Sequence, residues 1–257
     1  MGINIQKLRL LTMNVHKGFS IFNRRFVLHE LRDAIRKVSA DLVFLQEIIG
    51  ENHRHREKHE TWPEKSQYEF LADEIWKDFS YGRNAVYSAG HHGNALLSKF
   101  PIIQSYQHNL SLYSLEQRGL LHCEITIPGI HHSLHCICVH LNLVAFHRRQ
   151  QYEMIKRYID VRIPHGAPLL IAGDFNDWSD QAEKLLARPL NLFECHRLLH
   201  GHLAKTFPSF RPILRLDRIY GRGFEVIHCR TSSEQPWSKL SDHLPLIAEL
   251  EFHVVVD

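Results

Sequence analysis

The middle of the chain is a succession of strand-like segments with no helical pattern between them. Glycine or proline separates several of these segments. The predicted strands are Tyr81–Tyr87, Asn94–Ser98, Ile102–His108, Leu120–Ile127 and Leu134–Leu141. Too many strands follow one another for a simple alternating βαβ barrel. The pattern instead favours an α/β fold in which two packed sheets carry helices on their outer faces.

Strand-like and helical patterns alternate in the rest of the chain. Further strands are predicted at Leu8–Val15, Leu42–Leu45, Leu169–Ala172, Leu216–Tyr220 and Leu244–Phe252. Asn23 is predicted to cap a first helix, and two more are marked by Tyr68, Leu71 and Ile75 and by Tyr152, Ile155, Tyr158 and Ile159. Glu51–Lys65, crowded with charge and histidine, is predicted to be a loop. Because no linker is visible, residues 1–257 are expected to form a single domain.

Composition limits the class of protein. Apolar residues make up 44% of the 257 residues and charged residues 23%, so the chain can bury a sizeable core. The formal net charge of +3 permits an anionic substrate without demanding one. With no secretory pattern and no apolar run long enough to span a bilayer, we expect a cytoplasmic protein. We also expect a monomer with no obligate protein partner.

The five cysteines do not suggest a disulfide framework. Their number is odd and their spacing irregular. Cys136 and Cys138 alternate along a predicted strand, so both side chains would face the same way. A pair of reduced core thiols is preferred here to a metal-binding pair.

Polar side chains stand at the ends of the predicted strands, where ligands bind in layered α/β folds. They are Asn14, Gln46, Glu47, His140, Asp174, Asn176, Asp217, Asp242 and His243. The set offers oxygen ligands for a hard cation, imidazoles that move protons near neutral pH, and amides that can donate to phosphate oxygens. No Walker-type glycine-rich loop is present, which argues against nucleoside triphosphate hydrolysis of that class.

The motifs around these residues occur in the order found in one enzyme family. They are Leu11–Asn14, Leu45–Glu47, Gly93–Ser98, Val139–Leu141, Gly173–Asn176, Leu216–Ile219 and Ser241–Pro245. Each motif alone is weak, but the ordered set spans nearly the whole chain. It resembles the endonuclease/exonuclease/phosphatase family, which includes pancreatic-type deoxyribonuclease, abasic-site endonucleases, inositol polyphosphate phosphatases and neutral sphingomyelinases. Asn14–Gly18 is most similar to small bacterial members of unassigned substrate.

The resemblance implies a four-layered α/β sandwich of two mainly antiparallel sheets flanked by helices, with the active site at one edge of the sheets. It also implies a cofactor, Mg²⁺ or Mn²⁺. Glu47 would be the principal metal ligand, with Asn14 and Asp242 beside it. The metal would act as a Lewis acid and stabilise the leaving oxygen.

The same resemblance implies catalytic roles. His243, oriented by Asp217, would act as general base or contact the phosphate through its imidazole. Asp174 would position or deprotonate the attacking water. Asn176 and His140 would hold the non-bridging oxygens as negative charge develops on them.

Two further phosphate contacts are proposed on weaker grounds. Arg118 begins a predicted strand and resembles a phosphate-contacting arginine of the deoxyribonuclease branch, although an exposed strand-end arginine is an equal alternative. Asn94 lies in the Gly93–Ser98 motif. In that branch a glutamate near Tyr81–Arg83 supports the histidine equivalent to His140, and this sequence has none there. We therefore expect His140 to contact phosphate and not to form an acid–base pair.

Other residues are left with open roles. His91, His92, His131 and His132, with the trio His53, His55 and His59, match no standard zinc spacing and are predicted to be solvated loop residues. His16 and Lys17 follow Asn14 and could contact substrate. Thr206–Pro208 could form a wall of the site or a turn with a core phenylalanine.

Four functions compete at this stage. The leading one is a divalent-metal-dependent phosphodiesterase or nuclease acting on nucleic acid or a related phosphodiester. A phosphatase or phospholipase-type hydrolase of a lipid or inositol phosphate head group is the alternative. A non-catalytic binding module on the same fold is less consistent with the intact set of acids and histidines, and a zinc hydrolase using the extra histidines is a further option.

Overall fold

The computed structural model of the chain describes residues 2–113, 116–130 and 132–256. Their strands form two six-stranded sheets. The first sheet has the order β11-β12-β1-β2-β4-β3 and consists of β1 (Gly2–Asn14), β2 (Leu42–Asn52), β3 (Asp78–Tyr87), β4 (Gly90–Ser98), β11 (Glu225–Thr231) and β12 (Leu246–Val256). The second has the order β5-β6-β7-β8-β10-β9 and consists of β5 (Ile102–Asn109), β6 (Gly119–Ile125), β7 (Leu134–His140), β8 (Leu169–Asp174), β9 (Phe193–Glu194) and β10 (Asp217–Arg222).

Both sheets are mainly antiparallel and carry a parallel pair near their centre. In the first sheet β1 runs parallel to β2, and in the second β7 runs parallel to β8. The carboxyl ends of all four strands can therefore meet at one edge of the molecule. This arrangement is the one expected for ligand-binding side chains that follow buried strands.

Three hydrophobic cores separate four layers. Inward-facing residues such as Leu10 and Phe44 pack between the sheets against Cys138 and Leu170 of the second sheet. The α-helices of the described residues are α1 (Leu28–Val38), α2 (His53–Lys58), α3 (Gln67–Ala72), α4 (Ala145–Arg162) and α5 (Cys195–His200). Cys195 of α5 belongs to the core between the sheets. Side chains of α1 and α3 cover the first sheet, and α4 covers the second. The predicted four-layered α/β sandwich is confirmed.

Several local predictions were wrong. The first helix begins at Leu28, because Asn23 has a left-handed backbone and its side chain bonds His16 instead of capping a helix. The segment Glu51–Lys65, predicted as a loop, contains the end of β2 and all of α2. Strands β9 and β11 and helix α5 were not predicted.

The cysteines and the helices match what the composition indicated. All five cysteines are free and buried. Among the described residues, none of the helices combines the length and apolar character needed to cross a bilayer.

Candidate active site

Strand pairing brings the predicted site residues to one edge of the sandwich. Asp174, the last residue of β8, lies opposite His140 of β7 and Asp217 of β10. Asn14 ends β1 in the other sheet, and its amide donates to the Asp174 carboxylate over 3.2 Å. A hydrogen bond therefore joins the two sheets at the centre of the site.

Glu47 reaches this edge through an irregular piece of backbone. The pairing of β2 with β4 shifts between Leu45 and Ile48, and Glu47 within that bulge has φ = 57°. A left-handed conformation is unfavourable for a glutamate and persists only where the surrounding structure enforces it. Its carboxylate lies 3.5 Å from the Asn14 amide nitrogen and 3.7 Å from the Lys17 ammonium.

The Gly173–Asn176 turn depends on its glycine. Gly173 has φ = 147°, and a Cβ at this position would lie 2.0 Å from the carbonyl oxygen of Val139. The turn lets the Asn176 backbone N–H donate to Asp174 over 2.9 Å, while the Asn176 amide donates to the Leu141 carbonyl over 2.9 Å. The turn therefore fixes one Asp174 oxygen and leaves the other toward Asn14.

His243 and Asp217 form a buried hydrogen-bonded pair at the site. Nδ1 of His243 donates to the Asp217 carboxylate over 2.8 Å, and Nε2 lies 3.8 Å from Asp174. Burial lowers the pKa of His243, but Asp217 and Asp174 together raise it to about 10. His243 is therefore an imidazolium at neutral pH in this arrangement.

Burial shifts the pKa values of Asp174 and His140 in opposite directions. Burial raises the pKa of Asp174 to about 6, with Asp217 adding to the rise and His243 opposing it. Burial, together with Arg118 and His243, lowers the pKa of His140 well below its ordinary value. A neutral His140 thus lies 3.5 Å from a carboxylate that is more basic than an exposed aspartate.

Asp242 is held by His16, whose role the sequence left open. Nδ1 of His16 lies 2.8 Å from the Asp242 carboxylate, and this hydrogen bond raises the pKa of His16. Ser241 fixes the same turn by donating to the Asn14 carbonyl over 2.7 Å. The carboxylates of Glu47 and Asp242 thus each have a cationic or titratable neighbour, Lys17 and His16 respectively.

Neither residue of the two weaker phosphate-contact predictions is an exposed side chain. Arg118 is mostly buried, donating to the Leu141 carbonyl over 3.1 Å and pairing with Glu116 at 2.7 Å. Asn94 is fully buried, and its amide donates to the carbonyls of Gly119 and Cys138. Because Asn94 has no exposed surface and joins the sheets behind the site, the structure does not support it as a phosphate contact.

His92 belongs to the site region, although its sequence context gave no sign of this. His91 and His92 lie on β4 and are not loop residues, which corrects the earlier prediction. Burial and Lys17 lower the pKa of His92 to about 4, while Glu47 acts in the opposite direction. Its proximity to Glu47 depends on how β2 pairs with β4, and no local pattern could reveal that pairing.

The Thr206–Pro208 segment closes one side of the site. The Thr206 hydroxyl accepts from the Asp217 backbone N–H over 3.3 Å. The Phe207 ring lies 4.9 Å from the His243 ring. Because Thr206 and Phe207 both contact the His243–Asp217 pair, the segment is better described as a wall of the site than as a turn with a core phenylalanine.

The donor chemistry at this edge fits a hard divalent cation. Glu47 and Asp242 present partly exposed carboxylates, and Asp174, Asp217 and His243 have ligand atoms within 4.8 Å of one another. One oxygen of the buried Asp217 has no hydrogen-bond partner among the described residues. Oxygen-rich sites of this kind suit Mg²⁺ or Mn²⁺.

A second group in the described part of the chain has similar spacing but different chemistry. It consists of His122, Glu124 and His135. His122 bonds the Tyr158 hydroxyl through Nδ1 and His135 through Nε2, each at 3.0 Å. Both ring nitrogens of His122 therefore already have hydrogen-bond partners, so neither is free to bind a metal in this arrangement.

The sequence profile of the Endonuclease/Exonuclease/phosphatase family matches residues 11–243. A relative from Escherichia coli (strain K12), "Uncharacterized protein YbhP", is 48% identical over 242 residues, which is 94% of this chain and 95% of the relative.

Solved structures with the same fold include one that holds single-strand DNA product and one named as a phosphatase. One is D. rerio TDP2 complexed with single-strand DNA product, with TM-score 0.71, 18% identity, and coverage of 95% of this chain and 98% of that one. The other is the Bacteroides thetaiotaomicron mannosyl-6-phosphatase Bt3783, with TM-score 0.71, 16% identity, and coverage of 95% and 99%.

Proposed function

Because the chain belongs to the Endonuclease/Exonuclease/phosphatase family of metal-dependent phosphoester hydrolases, we propose that it is a phosphodiesterase that uses Mg²⁺ or Mn²⁺. The observation that carries the proposal is the convergence of Glu47, Asp174 and the His243–Asp217 pair on one sheet edge. Asp174 and Asp217 lie beside a buried imidazolium, and the Asn14 amide links Asp174 to Glu47.

Glu47, Asn14 and Asp242 would hold the metal, which supplies Lewis-acid stabilisation of the leaving oxygen when it is bound. Asn14 is the positioning element of this set, because its amide faces both Glu47 and Asp174. Lys17, 3.7 Å from Glu47, balances the carboxylate charge at the rim.

His243 is proposed to stabilise charge and not to act as the base. An imidazolium with a pKa of about 10 has no free lone pair at neutral pH, but its Nε2–H can donate to a non-bridging phosphate oxygen. Asp217 keeps it charged and fixes its ring. Of the two roles that the sequence left open, the charged imidazolium supports the phosphate contact.

Asp174 is proposed as the group that orients and deprotonates the attacking water. Its raised pKa of about 6 makes it a stronger base than an exposed aspartate while it remains mostly ionised at neutral pH. His140 and Asn176 flank it and would contact the non-bridging oxygens. Neutral donors at these positions can bind the oxygens without adding charge.

A phosphodiester is favoured over a monoester by the shape beside the site. A groove of about 510 Å³ starts at Arg118 and is lined by polar side chains that include Arg83, Asn84, Gln107 and Asn109. A second substituent on the phosphate would find hydrogen-bonding partners there. A phosphatase or phospholipase-type activity on a lipid or inositol phosphate head group remains the alternative, and nucleic acid is one candidate diester.

The test is a hydrolysis panel run with Mg²⁺, with Mn²⁺ and with EDTA. Its substrates are single- and double-stranded DNA, RNA, phosphoinositides, sphingomyelin, bis-p-nitrophenyl phosphate and p-nitrophenyl phosphate. We expect metal-dependent diester hydrolysis that Glu47→Gln lowers by about 10²–10⁴-fold. Glu251→Gln, which removes an ion pair with Lys7 far along the same sheet, is the matched control. Inactivity on every substrate with every metal would favour the binding-module alternative.

A further inference from the structure

The loops around the active site carry large apolar side chains that point into solvent. The set, called here the apolar rim, consists of Phe22, Leu143, Phe146, Trp178, Phe210 and Ile213. Each is more than half exposed, and Phe22 reaches 69%. Single exposed apolar residues are ordinary on protein surfaces, but a set gathered around one site marks an interaction surface.

Contacts connect one side of the rim to the site. Asn23, next to Phe22, bonds His16, and His16 bonds Asp242. Ser209, next to Phe210, donates its backbone N–H to the Asp242 carbonyl over 2.7 Å. Phe22 and Phe210 are therefore each one residue from the network that holds Asp242.

Contacts also connect the other side. The Arg148 guanidinium lies over the Trp178 ring at 4.8 Å, which joins the start of α4 to the loop after Asn176. Leu143 donates its backbone N–H to Glu116, the partner of Arg118. The rim therefore surrounds the site and borders the groove that begins at Arg118.

Three of the four rim segments contain positive charge alone, and in the fourth, around Trp178, the acidic residues Asp177 and Asp180 are paired with arginines. The segments 16–27, 141–149 and 206–216 contain no aspartate or glutamate. Exposed arginines stand beside the apolar tips, namely Arg24 near Phe22, Arg149 near Phe146 and Arg211 next to Phe210. Apolar tips flanked by cations are the combination that inserts into a bilayer interface while contacting anionic head groups.

We propose that the apolar rim docks on the surface of a phospholipid bilayer that contains anionic lipids. In that position the active site faces the head-group layer, where the phosphates of glycerophospholipids are diesters. The docking proposal is argued from the exposed apolar residues of the rim and the positive charge beside them. The further inference that the substrate is a lipid phosphodiester rests on the proposed function.

Three exposed apolar residues away from the rim serve as controls that should not contribute to docking. Helix α4, of 18 residues, is about 27 Å long, and Val161 near its end is 81% exposed. Ile103 and Leu198 are also more than half exposed and lie on β5 and α5, away from the rim loops. These three residues match the rim in apolar character but not in position.

The test is flotation of the protein with vesicles of phosphatidylcholine alone and of phosphatidylcholine with phosphatidylglycerol. We expect the wild type to float with the mixed vesicles, and binding to weaken as salt rises. The triple variant Phe22→Ser, Phe146→Ser, Phe210→Ser should lose binding by about tenfold or more. The control triple Ile103→Ser, Val161→Ser, Leu198→Ser should bind as the wild type does.

A soluble-substrate assay separates the two proposals. Hydrolysis of bis-p-nitrophenyl phosphate without vesicles should be unchanged in the rim triple, because none of its residues contacts the reacting groups. Flotation without any phosphoester hydrolysis would sustain docking and refute the proposed function. Equal flotation of both triples, no flotation of the wild type, or rim-dependent binding to single-stranded DNA in place of vesicles would each overturn the docking proposal.

Discussion

Strand β7 has a buried histidine at each end, and the two lie in clusters of opposite electrostatic character. His140 stands at the active-site edge beside Asp174 and His243. His135 stands at the other end and shares a hydrogen bond with His122. His122 and His243 are both almost fully buried. Burial, with smaller contributions from His135 and Arg162, lowers the pKa of His122 to about 4, whereas the pKa of His243 is raised to about 10.

The difference shows that the pKa of a buried histidine depends on the groups that contact its ring. Burial disfavours the imidazolium in both clusters. His243 has two carboxylates close to its ring, and their attraction exceeds the cost of desolvation. His122 bonds a phenol and another imidazole, neither of which compensates for lost water. The His243 cluster stabilises a charged imidazolium, whereas the His122 cluster favours a neutral imidazole.

The comparison is tested most strongly by removing one histidine from each cluster. His243→Gln should lower kcat/KM for the best diester substrate by about 10²–10⁴-fold, because the imidazolium that stabilises transition-state charge is lost. His122→Gln should leave kcat/KM close to the wild-type value, since its contacts lie at the far end of the sheet. Steady-state kinetics on both purified variants gives the result. Similar losses in the two would mean that the far cluster also supports the reaction.

Asp217→Asn tests the cause of the charge on His243. The substitution keeps a hydrogen-bond acceptor for Nδ1 but removes the negative charge, so the pKa of His243 should fall from about 10 toward its ordinary value. NMR titration of the metal-free protein measures this directly. His243 would then lose its proton at a lower pH than in the wild type. A pKa that stays near 10 would assign the shift to Asp174 instead.

Much of the site could be predicted because it lies at the ends of regular strands. Asn14, His140, Asp174 and Asp217 follow or begin apolar runs, and the sheet pairing then brings them together. Glu47 was identified by its motif, but its left-handed backbone within a bulge depends on the pairing of β2 with β4. Register between strands distant in sequence leaves no local pattern.

The wrong predictions for Asn23 and for Glu51–Lys65 also arise from contacts that the local sequence does not reveal. Asn23 has the residue type of a helix cap, but its side chain bonds His16 seven residues earlier. Helix α2 forms within a segment of loop-like composition because Asn52 caps it and His55 packs on the Phe19 ring at 5.0 Å. In both cases a tertiary contact outweighed the local propensity.

The neutral cluster should make folding stability depend on pH. The folded pKa of His122, about 4, lies below the ordinary value of 6.5, so the unfolded chain binds the proton more tightly. The free energy of unfolding is therefore unaffected by His122 above pH 6.5 and decreases as pH falls toward 4. At about pH 5 the decrease is about 2 kcal/mol. Urea unfolding at neutral pH and at about pH 5 measures the loss. His122→Gln should reduce that loss by about the same amount, and an unchanged loss in this variant would show that other groups cause it.

Tyr158→Phe gives the smallest and most local test of the second cluster. It removes the hydroxyl 3.0 Å from Nδ1 of His122 and leaves the ring in place. A single neutral hydrogen bond contributes about 1 kcal/mol, so the free energy of unfolding should fall by that amount and Tm by about 2–4 °C. Tyr158 covers the outer face of the second sheet, far from Asp174, and thermal unfolding should therefore change while kcat/KM does not. If catalysis fell with stability, the two ends of β7 would be mechanically linked, and the independence of the two clusters would have to be abandoned.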